Sequence, residues 1–168
     1  MTKKIFAIIG YTDWGKSNTL YELFNRRQFF PLKSPISCKT FDTKKFTVIN
    51  ASNEDRLTKE YLKRLKEVLK KHINVDTTFV ITISLIFDNG SHDVKTVFEY
   101  LNSLTDFDIT YIVLENGWHK NASLKADDIA QMENEIDDSI IKYFDTPINQ
   151  SKTKFKERTD KIIELIGK

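Results

Sequence analysis

Short runs of apolar, β-branched and aromatic residues alternate along the chain with segments whose apolar positions recur at three- and four-residue steps. That alternation is the signature of an α/β domain built on a largely parallel sheet. Strands are predicted at about residues 4–9, 36–41, 46–50, 78–87, 109–114 and 140–144. Only Asp42, Thr43 and Lys44 separate the second from the third. A parallel crossover needs a dozen or more residues, so these two are expected to form an antiparallel hairpin. One helix is predicted from Lys16 to about Arg26 and Arg27. A second opens after Ser52-Asn53-Glu54-Asp55, a Ser-x-x-Asp capping pattern, and carries Leu57, Tyr61, Leu65, Val68 and Leu69 on one stripe. A third follows the Asn89-Gly90 turn with Ser91 as N-cap and turns Val94, Val97, Phe98, Leu101 and Leu104 to the sheet. The last carries Phe155, Ile162, Ile163 and Ile166, and residues 120–138 read as a loop running into a weak acidic helix near 126–135.

Composition narrows the picture further. A length of 168 residues suits a single domain, residues 1–168, and 40 % apolar with 30 % charged residues describes a packed core under a polar surface. Cys38 is the single cysteine, which excludes a disulfide within the chain and a thiolate zinc cluster and fits a reducing compartment. Twenty-six basic against twenty-four acidic residues leave a net charge of +2, no footprint for nucleic acid or a membrane surface. The apolar run 5–9 is too short for the core of a signal peptide, and the run 79–87 is broken by Thr82 and Ser84. A cytoplasmic protein is the expectation.

The chemistry concentrates in Gly10-Tyr11-Thr12-Asp13-Trp14-Gly15-Lys16-Ser17, a full match to G-x-x-x-x-G-K-[ST] between a predicted strand and a predicted helix. Polyphosphate needs several donors converging on it with no side chain in the way, and a glycine-rich turn at a helix start supplies them. Gly10 and Gly15 would let the backbone approach and take positive φ where needed. Amides from Asp13 through Asn18 would point at the α- and β-phosphates. Lys16 would reach the β and γ oxygens as the catalytic cation, and the Ser17 hydroxyl would ligate Mg²⁺. Asp13 tolerates a left-handed backbone, while Trp14 reads as a lid or a partner contact.

On these residues the chain resembles the P-loop NTPase superfamily over most of its length, and its element order looks like that of the Ras-like small GTPases. The resemblance implies a three-layer sandwich with a mostly parallel sheet and one antiparallel hairpin strand. It implies ATP or GTP with Mg²⁺ as ligands and a switch segment at residues 27–35. Where that family ends its third strand with Asp-x-x-Gly, this sequence has Asn50-Ala51-Ser52-Asn53. The guanine-reading Asn-Lys-x-Asp would fall at Asn116-Gly117-Trp118-His119, keeping Asn116 as the base-side candidate but lacking the lysine and the aspartate. ATP is therefore at least as well matched as GTP. Asp88, after an apolar strand, is the expected magnesium acid, or else it opens the Asp-Asn-Gly turn. Glu115 could orient water.

Elsewhere the second helix interleaves acids with its lysines, which favours a solvated face, and His72, His92 and His119 lack metal-ligand spacing. The functional expectation is a magnesium-dependent NTPase that acts as a switch or regulates a protein partner. A small kinase and a non-hydrolysing nucleotide-binding assembly protein are the alternatives.

Overall fold

A computed structural model describes residues 2–27, 29–119, 121–146 and 148–168. Six strands form one sheet: β1 (Lys3–Gly10), β2 (Ile36–Ser37), β3 (Lys45–Ile49), β4 (Thr78–Ser84), β5 (Phe107–Leu114) and β6 (Ile141–Phe144). Their order is β2-β3-β4-β1-β5-β6, with β2 antiparallel to β3 and every other pairing parallel. The helices are α1 (Lys16–Leu23), α2 (Thr58–Lys71), α3 (Lys95–Asn102), α4 (Ala126–Glu135) and α5 (Lys152–Gly167).

Alternation along β1 assigns the layers. Ile5, Ala7 and Ile9 face a core shared with Tyr61 and Leu65 of α2, Phe98 and Leu101 of α3 and Met132 of α4. Phe6 and Ile8 face the opposite core, filled by Leu20 and Leu23 of α1 and Ile162 and Ile166 of α5. The result is the expected three-layer α/β sandwich with one antiparallel edge strand. No helix among the described residues is long and apolar enough to cross a membrane.

Several boundaries depart from expectation. The hairpin strand predicted over 36–41 pairs only at Ile36 and Ser37. The chain then makes a 3-10 turn over Lys39–Phe41, which drives Phe41 into a ring cluster with Phe24 and Phe46. Strand β4 stops at Ser84, opposite Gly10, because its partner β1 ends there and a strand cannot run on without a ladder. Helix α1 ends at Leu23, with Asn25 at φ 46° turning the chain before Arg26 and Arg27. The Ser52–Asp55 capping pattern does form, with Ser52 N donating to Asp55 Oδ2 at 2.9 Å, but it closes a separate turn and α2 begins only at Thr58.

Before α3 the organising side chain is Asp93 rather than Ser91: its carboxylate accepts from the amides of Asp88 (3.0 Å), Asn89 (2.8 Å) and Lys95 (2.8 Å). Strand β1 lies between β4 and β5, and the chain winds from β1 toward β3 but from β5 toward β6 on the other side. Open α/β sheets bind ligands outside the carboxyl ends of their strands at such a reversal.

Candidate functional site

At that reversal β1 gives way to the loop carrying residues 11–15. Gly15 sits at φ +83° as the residue before α1, and Asp13 at φ 60° takes the left-handed conformation anticipated for it. The two motif glycines therefore differ. Gly10 carries no positive φ, and a Cβ there would meet its nearest neighbours at 3.5 Å or more, so glycine is a conformational requirement at Gly15 alone. Thr19 closes the first turn of α1 by donating both its amide (2.8 Å) and its hydroxyl (2.7 Å) to the Gly15 carbonyl. The start of α1 has neither a side-chain cap nor an acidic residue in its first turn.

Beside it opens a cleft of about 290 Å³. Asp13, Trp14, Gly15, Lys16, Ser17 and Asn18 form one wall, and Asn50, Ser52, Glu54, Asp55 and Thr82 form the other. The Lys16 side chain is only 5 % exposed. Its Nζ donates to the carbonyls of Tyr11 (2.6 Å) and Gly10 (3.4 Å) and pairs with Glu54 Oε1 at 3.0 Å. Burial pushes the Lys16 pKa down, and the charge of Glu54 pulls against it. Burial likewise opposes ionisation of Glu54, yet the Thr12 side chain, the Lys16 ammonium and the Ser84 side chain together hold its carboxyl below the usual range.

Glu54, read from the sequence only as part of a capping pattern, is thus the acid that meets the motif lysine. Asn53 makes this possible. Its amide donates to the carbonyls of Ser84 (3.0 Å) and His92 (2.8 Å) while its Oδ1 accepts from Ser84 N (2.8 Å), fixing the loop after β3 to the end of β4. Ser17 Oγ donates to Asn50 Oδ1 at 3.0 Å, bringing the expected metal-ligating hydroxyl to the residue that stands where the resembled family has its aspartate.

Other predicted residues lie elsewhere. Asp88 does not line the cleft: its Oδ1 accepts from Gly90 N at 2.8 Å, the turn-forming alternative weighed for it, because β4 ends four residues earlier. The described residues of the segment 27–35 also stay away from the cleft. Among those described, Phe30 is buried in the ring cluster and the Leu32 carbonyl meets His72 Nε2 at 2.8 Å. Glu115 lies at the end of β5, where burial and the charge of Asp145 raise its pKa.

The base-side candidate Asn116 is spoken for: its Nδ2 donates to the Asp145 carbonyl and its own carbonyl accepts from Arg158 Nη1, both at 2.8 Å. Tyr11 anchors the loop from the other side, donating to Asp128 and accepting from Lys125 N at 3.0 Å; burial and the Asp128 bond push its pKa up to about 12.

Among the described residues no group of three or more His, Cys, Asp or Glu side chains could by itself hold a metal ion. Magnesium commonly takes one or two carboxylates and completes its shell with phosphate oxygens and water, and Ser17, Asn50 and Asp55 on this cleft fit that mode. Neither a family model nor a curated protein sequence matches the chain.

Proposed function

We propose that the chain binds the phosphate chain of a nucleoside triphosphate, with Mg²⁺, in the cleft at the end of β1 and hydrolyses its terminal phosphate. The observation that carries this reading is the convergence of the buried Lys16 ammonium with the uncapped start of α1, entered through the left-handed Gly15. Helix amides without side-chain partners, beside a cation held by two backbone carbonyls and the Glu54 carboxylate, form a receptor for anionic oxygen. A phosphate oxygen would take over the contacts that Lys16 makes with Tyr11 and Gly10, each charge-assisted bond being worth about 1.5–3 kcal/mol.

Ser17, with Asn50 and Asp55 across the cleft, would hold the magnesium ion, which supplies neutralisation of the phosphate oxygens. Glu54 is an ionised carboxylate on the same cleft, suited to orient a water molecule. The water oxygen would bond to the terminal phosphorus as the bridging P–O bond breaks, one of its protons passing to an oxygen of the departing phosphate, so that the nucleoside diphosphate and inorganic phosphate are released.

Titration of the protein with ATP and GTP in the presence of Mg²⁺, together with a phosphate-release assay, tests this. Binding is expected in the wild type and its loss in Lys16→Ala, while Glu54→Gln is expected to bind but release phosphate about a hundredfold more slowly, as for a lost water-orienting carboxylate. Transfer of phosphate to an acceptor without free phosphate would point instead to the kinase alternative. Absence of binding would end the reading.

A further inference from the structure

The phosphate cleft stops at Trp14, and the manner of its stopping bears on what the ligand is. A Cβ at Gly117 would lie 2.8 Å from both Cε2 and Nε1 of the Trp14 indole and 3.1 Å from its Cδ1. Three nearly equal distances to atoms of one five-membered ring place the ring's face, not its edge, on Gly117. The indole is not a freely hanging lid, because the Tyr11 ring meets it at 4.8 Å and 66° and Tyr11 is itself tied to Asp128 and Lys125.

Behind Gly15 the space belongs to Phe155 and Arg158, the latter fully buried and donating to the Asn116 carbonyl. The strip between the phosphate loop and the loop after β5 is therefore filled by an indole and a guanidinium. Asn116 spends its side-chain amide on Asp145, and no described residue from 115 to 119 lines the cleft. Two departures from the resembled family thus form one feature, since a tryptophan at position 14 in this pose requires a residue without a side chain at 117.

We infer that Trp14 is a specificity-determining residue that closes the cleft toward the loop after β5, so that the site recognises the triphosphate chain with its metal and reads no base. This rests on the function proposed above and names its substrate class as polyphosphate chains with or without a nucleoside attached. A site that hydrogen-bonds a particular base edge discriminates by about 10⁴ or more against analogues lacking it, whereas a site that holds only the phosphates leaves the base in water and discriminates hardly at all.

The test is calorimetric titration of the wild-type protein with the magnesium complexes of tripolyphosphate, ATP, GTP and UTP. The four dissociation constants are expected within about threefold of one another. One nucleoside triphosphate binding about tenfold or more tighter than tripolyphosphate overturns the inference while leaving the proposed function intact. If tripolyphosphate and all three nucleotides fail to bind, the proposed function itself falls and the inference with it. A second arm reads, within Trp14→Ala, the ratio of each nucleotide's constant to that of tripolyphosphate. Removing the indole uncovers Gly117, and at least one ratio is expected to move about fivefold or more from its wild-type value. Ratios unchanged from wild type remove Trp14 from the role given to it.

Discussion

Gly10, Gly15 and Gly117 are three glycines around one loop, and the same added methyl group should have a different result at two of them. At Gly117 the methyl lands 2.8 Å from a packed indole, so Gly117→Ala is expected to destabilise the fold by about 1–3 kcal/mol, the range of overpacked sites. At Gly10 the nearest atoms lie at 3.5 Å or more and φ is not positive, so Gly10→Ala is expected to be neutral or to gain up to about 1 kcal/mol. Urea denaturation of both variants checks the contrast. Glu54 gives a prediction in pH. Its folded-state pKa lies below its unfolded value, so its contacts with the Thr12 side chain and the Lys16 ammonium contribute stability that is present above the ordinary 4.5 and lost as pH falls through the lowered folded value. The stability difference between wild type and Glu54→Gln, followed by chemical denaturation, should accordingly shrink as the pH is taken down from above 4.5. A difference that is constant or grows toward acid would contradict the ionised pair.

Periodicity made the elements legible because it records which face each segment buries, and β1, β3, β5 and β6 fall within a residue or two of expectation. Element ends are set by partners the pattern does not carry. Strand β4 stops where β1 does, and the 36–41 strand yields to a turn that seats Phe41 among rings from two other segments. The start of α3 follows the same logic. Ser91 fits the local rule for an N-cap, but only Asp93 has a carboxylate that reaches three amides at once. Asp93→Ala is therefore expected to cost about 1–2 kcal/mol and Ser91→Ala less than about 0.5 kcal/mol in equilibrium unfolding. A larger loss at Ser91 than at Asp93 would reverse the assignment.

On the scale of the molecule, the strand order determines which distant residues share the cleft. The motif from residue 10 to residue 17 names half of the site by itself, because its donors are consecutive along the chain. The other half is Thr82 of β4 together with Asn50, Ser52, Glu54 and Asp55 from the loop after β3, which Asn53 draws across to the end of β4 beside β1. No local pattern encodes that approach, which is why along the chain Glu54 is only an intervening position of the Ser52–Asp55 capping pattern while Asp88 has the sequence context of a magnesium acid. The same limit held on the far side of the loop. Trp14 and Gly117 each stand out along the chain, yet only the pairing of β1 with β5 shows that one accommodates the other.

The most direct test of the cleft as a polyphosphate receptor is the thermal unfolding of wild type and Lys16→Ala with and without magnesium tripolyphosphate or magnesium ATP. At a ligand concentration about a hundredfold above Kd, binding to the folded state adds about 2.7 kcal/mol, which for a domain of this size raises Tm by roughly 5–10 °C. The expected result is that rise in the wild type and its absence in Lys16→Ala. A wild-type Tm unmoved by millimolar concentrations of either ligand, or an equal rise in the variant, would contradict it.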